Sequence, residues 1–226
     1  MSLAEAITLK GTTMAKKKTL ESPGLTAALS GIDILAPRPK NSIRRINLYG
    51  GPGTGKTTTA SDLFAEIKRS TVARKVDLQF ELIQEWVKTW AWEGRVPTGF
   101  DQNYIFASQQ RLEEVPLRNG VDCVITDSPL LLSAAYARKH HVKSWQQILA
   151  LSELHEAEYP GLHIFLERGD RPYVKKGRFQ NEEEAKRMDG FIKGMLDLYI
   201  GSDRYVTLPF DDFEAVYSCV RGRFGI

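Results

Sequence analysis

Residues 50–57, Gly50-Gly51-Pro52-Gly53-Thr54-Gly55-Lys56-Thr57, decide the fold, because they fit the pattern G-x-x-x-x-G-K-[ST]. The apolar run Ile46–Tyr49 precedes them and predicts a β-strand, whereas Gly55–Lys68 has the pattern of a helix. In this strand–loop–helix arrangement, backbone N–H groups and the positive end of the helix converge on one point. The sequence therefore predicts a loop that binds the phosphates of a nucleotide.

Each residue type in this loop has a chemical reason. Glycines allow the tight turns that bring several N–H groups to the phosphates. We expect Lys56 to contact the β- and γ-phosphates and the hydroxyl of Thr57 to ligate Mg²⁺. The predicted cofactors are ATP and Mg²⁺, and the predicted nucleotide-binding residues are Gly51, Gly53, Thr54, Gly55, Lys56, Thr57 and Thr58.

Short apolar runs alternate with longer helical segments along the chain. The predicted strands are Ile46–Tyr49, Val76–Ile83, Cys123–Thr126, His163–Leu166 and Tyr205–Leu208. The predicted helices are Gly55–Lys68, Glu85–Trp92, Asn103–Arg118, Leu130–Lys139, Ser144–Ala157, Asn181–Leu198 and Asp212–Val220. This order predicts an α/β P-loop NTPase fold, with a five-stranded parallel sheet and helices on both faces.

Composition limits the class of protein. The chain has 226 residues, of which 42% are hydrophobic and 26% charged, as is typical of a soluble globular protein. The longest nearly apolar run, Pro129–Ala137, is too short to span a bilayer, and no secretory signal pattern appears. We therefore expect no membrane partner and a cytoplasmic location, which would be the host cytoplasm if the protein is viral. Cys123 and Cys219 are too few for a disulfide framework, and His140-His141 lack a third ligand at metal-binding spacing.

Positive charge is concentrated at the amino terminus. Residues 1–45 carry eight Lys/Arg and three Asp/Glu, a net charge of +5, whereas residues 46–226 carry −2. We expect residues 1–43 to form a basic, poorly ordered arm and residues 44–226 to form the P-loop kinase domain. Such an arm is either a solvated terminus or a contact for nucleic acid phosphates.

A carboxylate is expected beside the phosphate-binding loop. Asp127 ends the apolar run Cys123–Thr126, and the carboxyl ends of parallel strands face the ligand in folds of this kind. We expect Asp127, together with Thr57, to hold the metal. Asp127 could also cap the helix that begins near Pro129, and the two roles are compatible.

A basic segment, Leu166–Arg178, follows the fourth predicted strand and is a candidate lid. Its five cations would stabilise the charge of a transferring phosphoryl group, with Gly169 and Gly177 as hinges. Arg171 and Arg178 are the favoured arms, because guanidinium groups match phosphoryl oxygens. The alternative is a solvated basic loop.

The acceptor side of the site has weaker signals. Glu85 follows the second predicted strand and could accept the proton of an attacking hydroxyl, with Lys88 one turn later. Alternatively, Glu85 is only a favourable carboxylate at a helix N-terminus. An aromatic-rich stretch could stack a nucleoside-like acceptor or belong to the core, and it contains Trp86, Trp90, Trp92, Phe100, Tyr104 and Phe106.

Three classes of P-loop protein compete. Regulatory GTPases read guanine with Asn-Lys-x-Asp, which is missing from the sequence, and AAA+ motors usually have Glu after the strand-end Asp, where this chain has Ser128. The sequence favours an ATP-dependent kinase that transfers a phosphoryl group to a nucleotide-like acceptor. The alternative is a motor or switch ATPase acting in DNA packaging or repair. The predicted catalytic residues of the kinase are Lys56, Glu85, Asp127, Arg171 and Arg178.

The region from Arg45 to about Asp189 resembles a family of bacteriophage P-loop kinase-like proteins, often labelled AAA ATPases. They are relatives of the ribosylnicotinamide-kinase and thymidylate-kinase groups. The matching segments are Ile46–Gly53, Gln84–Lys88, Gly99–Gln102, Thr126–Leu130, and Gly177-Arg178 with Glu182–Ala185.

This resemblance implies ATP, Mg²⁺ and roles for Lys56, Thr57, Asp127 and Glu85. Some members of the broad group look like DNA-base kinases that phosphorylate 5-hydroxymethyluracil in phage DNA. Thymidylate and nucleoside kinases commonly have Asp-Arg at the strand end, where this chain has Asp127-Ser128. The expected partner is therefore a nucleotide-like acceptor, either free or within DNA, and the oligomeric state is left open.

Overall fold

Five parallel strands form the centre of the structure, a computed structural model that describes residues 43–75, 77–169, 173–174 and 180–225. Their order across the sheet is β2-β3-β1-β4-β5, and every neighbouring pair is parallel. The strands are β1 Arg45–Tyr49, β2 Phe80–Ile83, β3 Cys123–Thr126, β4 Gly161–Glu167 and β5 Tyr205–Pro209. The predicted five-stranded parallel sheet is confirmed.

In the described part of the chain, seven helices connect and cover these strands. They are α1 Lys56–Arg74, α2 Lys88–Trp92, α3 Asp101–Arg118, α4 Leu130–Lys139, α5 Trp145–Glu158, α6 Glu182–Tyr199 and α7 Phe213–Phe224. Alternate residues of β1 face opposite sides of the sheet, as the period of a strand requires. Leu48 packs in a core with α1 and α7, whereas Tyr49 packs in a second core with α3, α4, α5 and α6. Helices therefore cover both faces, as predicted.

Two predicted elements are shorter than expected. Of the strand predicted over Val76–Ile83, Val76 lies outside the described residues, residues 77–79 are not in a strand, and β2 begins at Phe80, opposite Cys123 where β3 begins. The helix predicted over Glu85–Trp92 is reduced to α2, and Glu85 lies in the loop before it. The side chain of Gln109 accepts a hydrogen bond from the backbone N–H of Trp86 at 3.0 Å and fixes this loop.

The strand order places the two predicted phosphate-site segments side by side. β1 and β3 are neighbours, with Ile46 opposite Ile125 and Asn47 opposite Thr126. The P-loop follows β1 and Asp127 follows β3, so both emerge at the same edge of the sheet, where the strand order changes direction. The fold thus brings the loop and the carboxylate together.

The predicted arm lies outside the described residues, apart from its last residue, but its charge needs a correction. Arg45 belongs to β1 and is buried, in contact with Glu113 and Glu156. The Arg44 guanidinium donates to the carbonyl oxygen of Asp122 at 2.7 Å. Both arginines are therefore part of the folded domain, and residues 1–43 carry a net charge of +3 while residues 44–226 are neutral.

Within the part of the chain that the structure describes, none of the helices has the length and apolarity needed to cross a membrane.

Candidate functional site

Lys56 lies inside the P-loop. Its ammonium donates hydrogen bonds to the carbonyl oxygens of Gly50 at 2.7 Å and Gly51 at 2.9 Å. Burial lowers the pKa of Lys56 from its ordinary value, and nearby carboxylates, Glu85 and Asp127 among them, oppose that shift. The lysine is thus the first residue of α1, held at the centre of the loop with carboxylates around it.

The other predicted nucleotide-binding residues differ in exposure. Gly55 is the N-cap of α1 with φ of 79°, and Thr58 is exposed in the first turn of that helix. Thr54 is buried, and its hydroxyl donates to the carbonyl oxygen of Gly51 at 3.0 Å, so this side chain braces the loop. Gly53 is exposed at the tip. The loop therefore offers backbone groups more than side chains.

Thr57 and Asp127 meet directly. The Thr57 hydroxyl donates to Asp127 Oδ2 at 2.5 Å. Asp127 is buried, and among the described residues its Oδ1 has no hydrogen-bond partner. A buried carboxylate oxygen without a partner, beside a threonine hydroxyl, fits the hard oxygen ligands that Mg²⁺ takes. The α4 N-cap is Pro129, without a side-chain cap bond, so Asp127 is not the cap of that helix.

A carboxylate that the sequence did not single out closes the other side of the loop. Asp189 on α6 accepts a hydrogen bond from the backbone N–H of Gly51 at 2.7 Å. A side chain at Gly51 would approach the carbonyl oxygen of Ala185 to 2.8 Å, so only glycine allows α6 so close. Asp189 also accepts from Arg168 Nε at 2.7 Å, and Arg168 Nη2 donates to the carbonyl oxygen of Pro52 at 2.8 Å.

The start of the predicted lid lies over the P-loop. The guanidinium carbon of Arg168 is 6.0 Å from the centre of the Tyr173 ring. Gly53 has φ of 82°, and a Cβ there would lie 2.9 Å from that ring, so the aromatic side chain rests on the loop. Arg171 and Arg178 lie outside the described residues, and their role as lid arms stays a prediction.

Glu85 follows β2 at the sheet edge from which Asp127 also emerges, and its charge acts on two groups of the site. Its charge raises the pKa of Lys56 against the effect of burial. Burial raises the pKa of the Tyr136 hydroxyl, and the charges of Glu85 and Asp189 raise it further. The charges of both carboxylates thus act on Tyr136, a residue of α4, whereas Lys88 is exposed.

The aromatic-rich stretch divides into three parts. Trp86, Trp90 and Tyr104 form a cluster, with ring centres 5.0 Å apart for Trp86 and Tyr104, and 5.4 Å for Trp86 and Trp90. The Arg95 guanidinium covers the other side of Trp90 at 3.4 Å. Phe106 belongs to the buried core, whereas Trp92 and Phe100 are 60% and 68% exposed. Among the described residues, the first group forms a packed wall in which Trp90 is 5% exposed and Tyr104 is 57% exposed, and it follows directly after Glu85.

The structure places Asp127 beside the P-loop, where the sequence predicts it, but Asp189 and Tyr136 were not singled out by sequence reasoning. Both lie on helices in the middle of ordinary amphipathic patterns, so their roles depend on how α4 and α6 pack. Arg168 was visible as part of the basic segment, but no pattern distinguished it from the four cations that follow.

A glycine-rich loop between β1 and α1, a central lysine and a strand-end carboxylate define a P-loop NTPase fold. A family model described as an AAA domain matches residues 45–214, and the chain belongs to this family. A search of curated protein sequences found no significant match.

Solved structures of the NadR protein have a similar fold. The complex with NAD and AMP-PNP matches with a TM-score of 0.58 and 15% identity, over 83% of this chain and 51% of that chain. The complex with NR gives a TM-score of 0.59 and 15% identity, over 83% and 53%. This chain therefore spans about half the length of the NadR chains. A deoxyadenosine kinase from M. mycoides matches at 12% identity over 80% of this chain and 98% of that chain, with a TM-score of 0.45, too low to establish a shared fold.

Proposed function

We propose that this protein is an ATP-dependent kinase that transfers the γ-phosphoryl group of ATP to a hydroxyl or phosphate oxygen of a nucleotide-like acceptor. The observation that carries the proposal is the position of Glu85. Glu85 follows β2, whose last residue Ile83 pairs with Thr126 of β3. It therefore lies at the sheet edge where Asp127 and the P-loop emerge, and the Trp86, Trp90 and Tyr104 wall begins directly after it. The fold shared with NadR, which binds AMP-PNP and NAD, is consistent with it.

In the proposed reaction, the acceptor oxygen attacks the γ-phosphorus and the bond to the bridging oxygen breaks. ADP then leaves with the electron pair. Glu85 takes the proton of an acceptor hydroxyl, and Lys56 together with Arg168 stabilises the phosphoryl oxygens. Bound Mg²⁺ would neutralise charge on the phosphates, and Thr57 with Asp127 would hold it. Tyr173 over Gly53 helps to exclude water from the loop.

The acceptor is proposed to carry a base that stacks on the aromatic wall. Gln109 is well placed to read its edge, because its Oε1 already holds the Trp86 N–H. Its Nε2 is buried and has no hydrogen-bond partner within the described part of the chain. A hydroxymethylated pyrimidine such as 5-hydroxymethyluracil in phage DNA is one candidate acceptor, and a free nucleoside or nucleotide is the other.

A motor or switch ATPase is the competing function. It would need a residue that activates a hydrolytic water, and Asp127 is followed by Ser128 instead of glutamate. The test uses γ-labelled ATP with free nucleosides, nucleoside monophosphates, and DNA with or without hydroxymethylated pyrimidines. A kinase puts the label on an acceptor, whereas label found only as free phosphate contradicts the proposal.

Lys56→Ala provides the matching binding experiment. Removing a cation that contacts phosphates should weaken Mg-ATP binding by about 100-fold, since a charged hydrogen bond contributes ~1.5–3 kcal/mol. Calorimetry of the wild type and the variant measures this difference. Equal affinity in the two proteins would contradict the role of the loop.

A further inference from the structure

A basic groove lies outside the P-loop, between the end of α4 and α6. Its volume is about 540 Å³, and its lining includes Arg138, Lys139 and Lys143 together with the rings of Trp145 and Phe191. None of the described residues that line it is acidic. Neither the P-loop chemistry nor the candidate acceptor wall uses any of these side chains.

The charge of this region departs from that of the domain around it. Residues 44–226 contain as many Lys/Arg as Asp/Glu, whereas residues 128–152 contain three Lys/Arg and no Asp or Glu. Since opposite charges are otherwise interspersed, 25 residues without a carboxylate leave a local positive field. Such a field attracts a polyanion.

The turn after α4, which forms part of the groove, has a defined backbone geometry. His141 follows the C-cap of α4 and has the left-handed conformation, with φ of 54°. The N–H of Val142 donates to the carbonyl oxygen of Ala137 at 2.8 Å, and that of His141 donates to Arg138 at 3.1 Å. This pattern is that of a Schellman motif, which closes a helix end with defined geometry. The turn therefore returns Lys143 toward the end of α4.

Aromatic rings support two of the cations. The Arg138 guanidinium lies 5.0 Å from the centre of the Trp145 ring, and the Lys139 ammonium lies 5.4 Å from that of Phe191. Cation–π contacts of this kind hold a long side chain in place while its charge stays available to an anion. The entropy lost on binding is correspondingly smaller.

The helix that ends at the groove also carries Tyr136, whose pKa responds to two carboxylates of the candidate site. His140 stacks on Tyr136, with ring centres 6.4 Å apart and planes within 6°. Tyr136 lies on α4, within one helical turn of Arg138 and Lys139.

We propose that this groove binds the phosphate backbone of a nucleic acid strand. The strand would place one nucleotide against Glu85 and its neighbouring phosphates against Arg138, Lys139 and Lys143. The second part of this statement rests on the proposed kinase function, whereas binding in the groove does not. Binding of a strand in the groove favours an acceptor within a polymer over a free nucleotide.

The test compares two charge-reversed variants of the full chain. Lys139→Glu/Lys143→Glu changes the groove, and Arg69→Glu/Arg223→Glu changes the net charge equally on α1 and α7, which cover the opposite face of the sheet. Fluorescence anisotropy measures binding of a labelled oligonucleotide, single-stranded and duplex, at several salt concentrations. We expect the groove variant to bind at least about tenfold more weakly, with a salt slope lower by about 1.4–1.8, and the control to stay within about twofold of the wild type.

Further measurements separate the outcomes. Mg-ATP binding by calorimetry should be unchanged in the groove variant, which shows that it is folded. Equal losses in the two variants, or none in either, would overturn the proposal. So would competition by poly-glutamate as strong as that by an unlabelled oligonucleotide, because the occupant would then be an acidic polypeptide.

The kinase proposal and the groove proposal can be contradicted independently of each other. If the wild type binds oligonucleotides through the groove but transfers label to no acceptor, the groove stands and the kinase function does not. If label reaches free nucleosides and oligonucleotide binding is the same in all variants, the kinase stands and the groove does not.

Discussion

Asp189 connects the P-loop to the basic segment that follows β4. Its carboxylate accepts hydrogen bonds from the Gly51 N–H in the P-loop and from Arg168 at the start of the basic segment. A carboxylate beside bound phosphates opposes their binding by charge repulsion. Asp189 therefore contributes to the reaction by orienting Arg168. We infer that Asp189 is a positioning residue that favours turnover at some expense of ATP affinity.

Replacing Asp189 with Asn tests this role. The amide keeps an oxygen for the Gly51 N–H but loses the charge that orients Arg168. We expect kcat to fall about tenfold, in line with ~1.5–3 kcal/mol for a charged hydrogen bond, while KM for ATP stays equal or decreases. Steady-state kinetics with varied ATP provides both constants. A rise in KM at constant kcat would instead assign Asp189 to ATP binding.

Individual site residues were predictable where local sequence determines their place. Lys56 and Thr57 follow from the loop pattern alone, and Asp127 follows from its position after a buried strand. Asp189 could not be predicted, because nothing near it in sequence indicates that α6 crosses the loop. Its contact exists because Gly51 has no side chain to hold α6 away.

At the scale of the element, α6 is the helix whose placement matters most to the site. It carries Asp189 and buries Met188, Ile192 and Leu196 against the sheet. Its start was predicted from Asn181, and the capping box is confirmed. The Asn181 side chain accepts from the Glu184 N–H at 2.9 Å, and Glu184 accepts from the Asn181 N–H at 2.8 Å.

Asn181→Ala removes half of this capping box. The variant should lose about 1 kcal/mol of the free energy of unfolding, which lowers Tm by about 2–4 °C in a domain of this size. Thermal unfolding followed by circular dichroism measures the change. Asn181→Ser is the matched control, because serine caps equally well, and its Tm should stay near that of the wild type. The same loss in both variants would mean that the asparagine acts elsewhere.

The limits of prediction at this scale lie in β2 and α2. Alternating apolar residues predict a strand over Val76–Ile83, but the described residues 77–79 are not in it, because β3 begins only at Cys123, opposite Phe80. The helix over Glu85–Trp92 was predicted from its periodicity. The chain instead leaves β2 as a loop, because Gln109 on α3 binds the Trp86 N–H. Both errors come from tertiary contacts that local patterns do not contain.

At the scale of the whole molecule, an ionic cluster lies beneath the amino-terminal ends of the strands. Arg45 contacts Glu113 and Glu156, while His155 approaches Glu113 and His163 approaches Glu156. No local pattern indicates this cluster, since its members lie on four separate elements, β1, α3, α5 and β4. Arg45 had even been expected to add to the charge of the arm. Burial of such charges is tolerated because each has a partner.

This cluster predicts how stability depends on pH. Burial acts to raise the pKa of Glu156, but the hydrogen bond from His163 and the charge of Arg45 outweigh it, so this pKa lies below its ordinary value. As the pH falls, Glu156 is therefore protonated at a higher pH in the unfolded chain than in the folded protein. The carboxylate contributes stability above pH ~4.3, the ordinary value for Glu, and that contribution is lost as the pH falls through the lower folded pKa.

Glu156→Gln should consequently reduce the free energy of unfolding by about 1–3 kcal/mol at neutral pH, because it leaves the buried Arg45 with one carboxylate fewer. Below pH ~4.3 the difference from the wild type should shrink, since the wild-type carboxylate is then being protonated. Urea unfolding at neutral pH and at several values down to about pH 3 measures both effects. Glu153→Gln, an exposed position on the same helix, should follow the wild-type profile. If the curves of Glu156→Gln and the wild type run parallel over the whole range, the cluster does not contribute stability through this carboxylate, and Arg45 must be balanced by Glu113 alone.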